Sequence, residues 1–151
     1  MVTSNVYIVM PSHVNGTNRL FGGQLMSWID VAAGVEARRH ARRQVTTASV
    51  DNLRFLGPAF LDEAVRLDAR VTWTGKTSLE VRVDSIVESL AGAERLINRA
   101  YLVFVALDED GKPAPFPAFT PSTEEEKQEW LQAEKRRVLR LAARNINNVG
   151  C

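Results

Sequence analysis

The residue in this sequence whose type and setting point most directly to chemistry is Asp30. It is the only ionisable residue in a long apolar stretch, and its neighbours along the chain are Leu25, Met26, Trp28, Ile29, Val31, Ala32 and Ala33. A carboxylate in such surroundings is costly unless it is hydrogen-bonded or faces a cleft. In a cleft it would be suited to act as a general base. A structural role, in which Asp30 caps a loop or pairs with an arginine, is equally compatible with this observation.

Two adjacent glycines, Gly22 and Gly23, precede Asp30 by two helical turns. They stand where a helix would begin, and the free backbone N–H groups of a helix N-terminus can stabilise a developing oxyanion. Glycine costs a helix about 1 kcal/mol relative to alanine, so the pair indicates either close approach of a substrate or tight packing. Upstream, His13 and Asn15 lie in a predicted loop, where such residues commonly support turns.

A long helix is needed to hold these residues. Residues 20–40 contain no proline and are apolar on most faces, which predicts a helix that is buried nearly all round until its charged C-terminal end. Within it Gly23, Ser27, Asp30 and Gly34 follow steps of four, three and four residues. That spacing places the polar and small residues on one face of the helix.

The rest of the chain predicts an antiparallel sheet and a second helix. Strands are expected at residues 5–10, 45–56, 65–74, 79–84 and 96–107. The third and fourth of these alternate polar and apolar residues around a turn, which predicts a hairpin with one solvent-exposed face. A terminal helix is expected over residues 123–144, capped by Ser122 or Thr123. Its apolar stripe consists of Leu131, Val138, Leu141 and Ala142. This order predicts an α+β domain in which a sheet holds one long helix.

Composition limits the classes of protein to which the chain can belong. With 151 residues and 45% apolar residues it has the profile of one globular domain, and a net charge of +1 argues against nucleic-acid binding through a generally basic surface. The single cysteine, Cys151, forms neither a disulfide framework nor a metal cluster and is expected to be solvent-exposed. No signal peptide and no run of 18 apolar residues are present, so we expect a cytoplasmic protein without membrane partners.

The motif Asn15-x-x-Asn18-x-x-Phe21-Gly22-Gly23, followed by Asp30, resembles the signature of hotdog-fold acyl-CoA thioesterases. Residues 29–34, 45–51 and 72–78 are also similar to that family in order and spacing. The resemblance implies a hotdog fold, in which an antiparallel sheet wraps a long central helix. It predicts a single hotdog domain over residues 1–120 and a C-terminal helical extension over residues 121–151.

The same resemblance implies hydrolysis of acyl-CoA to a fatty acid and CoA, with no metal and no organic cofactor. By that analogy Asp30 acts as general base or nucleophile, and Asn15 of the opposing protomer places the water or the substrate. The N–H group of Gly23, with that of Gly22, polarises the thioester carbonyl. The family also forms dimers with sites between protomers, commonly three dimers in a hexamer. Asn18 stands where the motif usually has glycine, which a positive-φ turn tolerates.

The turn Gly75-Lys76-Thr77-Ser78 is implied by the resemblance to contact the CoA moiety, although an ordinary solvated hairpin tip is an equal alternative. It is not a phosphate-binding P-loop, because Arg70 stands where the leading glycine is required. The run of arginines at the end of the predicted long helix could also serve the CoA phosphates. We expect most of them merely to end the helix: Arg38, Arg39, Arg42 and Arg43.

Two other functions compete with hydrolysis. A non-catalytic acyl-CoA or lipid-binding sensor would use Asp30 structurally. A hotdog hydratase or dehydratase acting on acyl thioesters would typically pair a histidine with a carboxylate, and the predicted helix carries Asp30 without one. We therefore rank the hydratase below both other functions.

Overall fold

The computed structural model describes residues 1–51 and 53–149, so Cys151 lies outside the described residues. The described part contains two long helices and five strands, with a short 3-10 helix at Pro11–His13 between the first strand and the first long helix. In chain order these are β1 (Thr3–Ile8), α1 (Gly22–Ala41), β2 (Gln44–Asp51), β3 (Ala64–Thr74), β4 (Ser78–Glu88), β5 (Glu94–Leu107) and α2 (Glu124–Val149). The predicted order of elements is confirmed. In the described residues neither helix combines the length and apolarity needed to cross a membrane.

The five strands form one antiparallel sheet in the order β1-β3-β4-β5-β2, which leaves β1 and β2 as its edges. Helix α1 packs on one face of this sheet, and the core lies between them. The largest fully buried apolar side chains of that core are Leu25, Ile29, Leu67, Leu79, Ile97, Leu102 and Phe104. Burial of these side chains supplies most of the stabilisation of the domain. The predicted α+β hotdog arrangement, a long helix held by an antiparallel sheet, is confirmed.

Strand β2 lacks a clear alternating pattern because it is bulged. Its register with β5 shifts between Thr47 and Ser49, so Ala48 is the extra residue. A bulge breaks the two-residue side-chain period and bends the strand locally. The strand ends at Asp51, earlier than the predicted residue 56.

Helix α1 has one open face, so the prediction that it is buried nearly all round is wrong for the single chain. Leu25 and Ile29 are buried against the sheet, whereas Gly23, Ser27 and Val31 are exposed, Val31 by 53%. The predicted face of small and polar residues is open at Gly23 and Ser27, whereas Asp30 and Gly34 are half-buried. Arg42 ends the helix in a left-handed conformation, with φ of 55°.

Helix α2 packs on the other face of the sheet through charged residues together with Trp130 and the buried Ala133. Glu80 of β4 is fully buried and accepts hydrogen bonds from the Nε and Nη2 atoms of Arg136, at 2.9 and 2.8 Å. The face of the β3–β4 hairpin predicted to be solvent-exposed is therefore partly covered. Conversely, Leu131 and Val138 of the predicted apolar stripe are 56% and 65% exposed.

Candidate active site

Asp30 is hydrogen-bonded by a threonine of the neighbouring edge strand β2. It is half-buried on α1, and its Oδ1 atom accepts a hydrogen bond from the Oγ1 hydroxyl of Thr47 at 2.7 Å. Thr47 lies immediately before the bulge in β2. Among the described residues Oδ2 has no hydrogen-bond partner, so one carboxylate oxygen is fixed and the other is available. Sequence reasoning did not single out Thr47, although it lies within the segment 45–51 that carried the family resemblance.

Gly22 and Gly23 form the first turn of α1, as expected from the sequence. The capping residue Phe21 has an extended backbone and supplies no side-chain hydrogen bond. Helix geometry leaves the first N–H groups without an intrahelical acceptor, and those of Gly22 and Gly23 find no other acceptor in the described chain. This end of the helix therefore offers two unpaired donors and the positive end of its dipole.

Aromatic rings flank both glycines, which gives a packing reason for their small size. A Cβ atom on Gly23 would lie 2.5 Å from Cε1 of Phe21, and one on Gly22 would lie 3.4 Å from Cε2 of Phe55. Any larger residue at position 23 would displace the Phe21 ring. Tight packing and access for a substrate, the two alternatives raised by the sequence, are thus compatible here.

Asn15 organises the loop before α1 and keeps one donor free. Its Oδ1 atom accepts from the backbone N–H groups of Thr17 and Arg19, at 2.9 and 3.3 Å, and from the Thr17 hydroxyl at 2.7 Å. Because both backbone groups are donors, they fix which end of the amide faces the loop. Among the described residues the Nδ2 group of Asn15 has no hydrogen-bond partner. Asn18 has φ of 58°, which confirms the positive-φ turn expected at that position.

The predicted site residues fall into two groups within one chain. Asn15 and Gly22 line a common cavity of about 340 Å³, together with Phe55. Asp30 does not line it. Helix geometry separates Gly22 from Asp30 by about 12 Å along the axis of α1, since eight residues each rise 1.5 Å. A single chain therefore does not bring the carboxylate to the glycine N–H groups.

The two histidines make structural contacts within the fold. His13 is half-buried, accepts from the backbone N–H of Met10 at 3.0 Å through Nδ1, and meets the ring of Trp28 edge-on with 5.0 Å between ring centres. His40 contacts the carbonyl oxygen of Pro117 at 2.9 Å. In the described residues neither histidine hydrogen-bonds Asp30, and no group of three metal-ligating side chains comes together.

The segment Gly75–Ser78 is a hairpin turn between β3 and β4. The backbone N–H of Gly75 donates to the carbonyl oxygen of Ser78 at 2.8 Å, and Lys76 is exposed at the tip. Thr77 and Ser78 line a cavity of about 600 Å³ that the turn shares with α2. The turn thus borders a concave surface and is more than a solvated tip.

The arginines at the end of α1 surround a separate cavity of about 540 Å³. Two of them support local structure: Arg39 donates to the Thr3 hydroxyl at 3.1 Å, and Arg43 donates to the carbonyl oxygen of Pro115 at 2.9 Å. Arg38 and Arg42 are exposed beside them. Their position at the helix C-terminus is the one that favours cations.

Comparison of the sequence with known proteins finds the thioesterase family that the motif around Asp30 resembles. Residues 17–90 match the family model described as Thioesterase superfamily. The chain is 49% identical over 119 residues to the uncharacterized acyl-CoA thioester hydrolase YkhA of Bacillus subtilis. The aligned region covers 78% of this chain and 69% of that protein. It is 31% identical over 146 residues to the cytosolic acyl coenzyme A thioester hydrolase of Rattus norvegicus, covering 94% of this chain but only 38% of the rat protein.

Solved structures agree over nearly the whole chain. A hexameric acyl-CoA thioesterase in its apo form superposes with a TM-score of 0.90 at 37% identity, covering 94% of this chain and 92% of that one. The acyl-CoA hydrolase of Staphylococcus aureus, solved with butyryl coenzyme A, coenzyme A and coenzyme A disulfide, gives 0.88 at 35% identity, covering 97% and 90%. Together with the long helix, the sheet order and the motif around Asp30, these similarities establish that the chain belongs to the thioesterase superfamily.

Proposed function

We propose that this protein is an acyl-CoA thioesterase that hydrolyses acyl-CoA to a free fatty acid and coenzyme A. The observation that carries the proposal is the Asp30 carboxylate, which has one oxygen held by Thr47 and the other unpaired among the described residues. Relatives named acyl-CoA thioester hydrolases support the same reaction. A cytoplasmic location is proposed in line with the relative named cytosolic.

The free oxygen of Asp30 can act in two ways. As a general base it takes a proton from water, the water oxygen bonds to the thioester carbon, and the C–S bond breaks so that the proton leaves with the CoA sulfur. As a nucleophile it attacks that carbon itself, and the C–S bond breaks so that CoA leaves as a thiolate, which takes up a proton from solvent. Water then hydrolyses the resulting mixed anhydride, which releases the fatty acid and restores the Asp30 carboxylate. In both cases negative charge develops on the carbonyl oxygen, where unpaired N–H groups at a helix N-terminus stabilise it.

The active site is proposed to be shared between two copies of the chain. Asp30 and the N–H groups of Gly22 and Gly23 lie too far apart along one helix to touch the same carbonyl. An antiparallel pairing of two α1 helices through their open faces would bring Asp30 of one copy to the Gly22–Gly23 N-terminus and the Asn15 loop of the other. The exposed side chain of Val31 and the unpaired edge of β2 support such an arrangement. Assembly of three such dimers is proposed from the hexameric neighbour.

A spacing in the Staphylococcus aureus hydrolase supports the choice of residues. That protein, at 34% identity, has been solved with alanine replacing an asparagine, an aspartate and a threonine in turn. The asparagine precedes the aspartate by 15 residues, and the threonine follows it by 17. Asn15, Asp30 and Thr47 have the same separations in this chain. The correspondence supports a role for all three at one site.

The decisive experiment replaces Asp30 by asparagine and measures thiol release from a panel of acyl-CoAs. We expect turnover to fall at least about 100-fold, the usual scale for loss of a general base. Asp110→Asn, in an exposed turn, serves as the matched control. Unchanged turnover in Asp30→Asn would refute the assignment. Saturable acyl-CoA binding without CoA release by the wild-type protein would favour the sensor instead.

Mixing inactive variants tests whether the site is shared. In a symmetric dimer, one Asp30→Asn protomer and one Asn15→Ala protomer form one doubly defective site and one intact site. Random exchange of the two variants should therefore restore about a quarter of the wild-type activity. No recovery, once subunit exchange has been verified by mass spectrometry, would rule out a site built from both copies.

A further inference from the structure

A small cavity lies between the sheet and the start of α2, on the face of the sheet that α1 does not cover. Its volume is about 210 Å³, the space of about seven water molecules, so only a small molecule fits it. Strands β3 and β4 form the floor, which consists of Arg70, Val71, Thr72 and Arg82. The first turns of α2 and the segment before them form the opposite wall, which consists of Phe119, Thr123, Glu125, Glu126 and Glu129.

Two arginines lie directly opposite each other in the floor of this cavity. Arg70 of β3 and Arg82 of β4 are paired in the register of the two strands. Side chains in such positions have Cβ atoms about 4.5–5.5 Å apart, and like charges there destabilise the sheet. Water screens this repulsion weakly, because Arg82 is only 6% exposed and Arg70 is half-buried. An anionic group bound beside both side chains would relieve the repulsion.

The neighbouring carboxylates satisfy only part of this arginine pair. The Nη1 and Nη2 atoms of Arg82 donate to Glu129 and Asp84, both at 3.1 Å. The Nε atoms of Arg70 and Arg82 are both buried, and neither has a hydrogen-bond partner in the part of the chain that the structure describes. Buried N–H groups are nearly always paired, so two such donors on adjacent strands beside a cavity indicate a binding site for an acceptor.

The opposite wall of the cavity carries the reverse charge. Two of its three glutamates are already engaged. Glu126 accepts from the backbone N–H and the hydroxyl of Ser122, at 2.9 and 3.3 Å. Glu129 forms an ion pair with Arg82. Glu125 lines the cavity from the exposed first turn of α2, and among the described side chains it forms no ion pair.

Arg70 and Glu125 therefore line one cavity from opposite sides without pairing with each other. A ligand with a single negative charge would meet the glutamates, and a ligand with a single positive charge would meet two guanidinium groups. A molecule that carries both charges satisfies both walls. The apolar surface of Val71 and Phe119 adds room for a small hydrocarbon group.

We propose that this cavity binds a small apolar α-amino acid in its zwitterionic form. The ligand carboxylate accepts hydrogen bonds from the Nε groups of Arg70 and Arg82, and the ligand ammonium group pairs with Glu125. Val71 and Phe119 contact the ligand side chain. The site is separate from the proposed catalytic residues, and the inference does not depend on the thioesterase activity.

Three compounds with the same hydrocarbon group separate the two charges. L-leucine carries both charges, 4-methylpentanoate lacks the ammonium group, and 3-methylbutylamine lacks the carboxylate. Calorimetry at neutral pH measures the binding of each compound to the wild-type protein. We expect L-leucine to bind with a Kd of about 1 mM or less, which is within reach for a ligand of its size. Each of the other two compounds should bind at least about tenfold more weakly, because each loses one charged interaction.

Variants of the two walls assign the charges to residues. Arg70→Gln should weaken the binding of L-leucine at least about tenfold. Without added ligand the same variant should have a Tm equal to or above that of the wild type, because it removes the charge opposite Arg82. Glu125→Gln should weaken the binding of L-leucine but leave that of 4-methylpentanoate unchanged. Lys135→Gln removes an exposed charge of α2 outside the cavity and serves as the control, with binding equal to that of the wild type.

Any of three results overturns the proposal. The first is that L-alanine, L-valine and L-leucine all show no saturable binding up to about 10 mM. The second is that the carboxylate or the amine analogue binds the wild type as tightly as L-leucine does. The third is that Arg70→Gln binds L-leucine as tightly as the wild type. The comparison of ligands uses only the wild-type protein, so it decides the proposal even where a variant does not fold.

Discussion

The hydrogen bond from Thr47 to Asp30 provides a quantitative test of how the carboxylate is positioned. Replacing Thr47 by valine keeps the shape of the side chain and removes the hydroxyl that donates at 2.7 Å. Thr47 is exposed on an edge strand, where water can solvate the carboxylate once the hydroxyl is removed, so the free energy of unfolding should fall by no more than about 1.5 kcal/mol. The effect should therefore appear in catalysis and leave the fold intact.

The size of the effect follows from the charge of the acceptor. A hydrogen bond to a charged group is worth about 1.5–3 kcal/mol. If the bond holds Asp30 in its reactive orientation in the transition state, its loss lowers kcat by about 10- to 150-fold. Because Thr47 is proposed to act on Asp30, KM for the acyl-CoA should change little. Thiol-release kinetics under saturating and limiting acyl-CoA separate the two constants.

Serine at position 47 is the matched control, because it keeps the hydroxyl and loses only the methyl group. Thr47→Ser should retain most of the wild-type kcat. A Thr47→Val variant with kcat within threefold of wild type would refute the positioning role. If the serine variant were as slow as the valine variant, packing of the methyl group would be responsible and the hydrogen bond would not.

Three further predictions concern the ion-pair network, pH and the loop. Glu80→Gln leaves Arg136 without its buried partner, so the free energy of unfolding in urea should fall by about 3–5 kcal/mol, and a fall below about 1 kcal/mol would contradict the proposed anchoring of α2. Burial and the neighbouring Glu129 raise the pKa of Tyr101 to about 12. The folded state thus favours the neutral phenol, so Tm should decline as pH rises from about 10 to 12, and the decline should be smaller in Tyr101→Phe. Asn15→Asp keeps the oxygen that accepts hydrogen bonds in the loop but loses the Nδ2 donor, so Tm should stay unchanged while kcat falls about tenfold. A kcat equal to that of the wild type would show that the donor is not used.

The elements and the position of Asp30 were predictable because they depend on local pattern. The β3–β4 hairpin alternates cleanly, and α1 begins close to its paired glycines and ends among its arginines. Thr47 was not predictable from pattern, since the Ala48 bulge disrupts the alternation of β2. Its contact with Asp30 depends on the path by which β2 returns along α1.

The orientation of α2 was not predictable from its sequence for a related reason. Apolar stripes of helices usually face the core, but Leu131 and Val138 of the α2 stripe are exposed. In the structure the buried carboxylate of Glu80, 56 residues before Arg136, draws the opposite face of the helix toward the sheet. A charge that is buried and paired over such a distance cannot be recognised from the pattern of the helix alone.

The open face of α1 bears on the sequence prediction that this helix is buried on nearly every side. The composition of residues 20–40 is that of a helix buried on nearly every side, yet Ser27 and Val31 are exposed in the single chain. Contiguous exposed apolar surface in a monomer commonly marks an interface. In the proposed dimer that surface is covered, and the same pairing closes the gap of about 12 Å between Asp30 and the glycine N–H groups. Burial of the helix and completion of the active site would then be consequences of one contact between two copies of the chain.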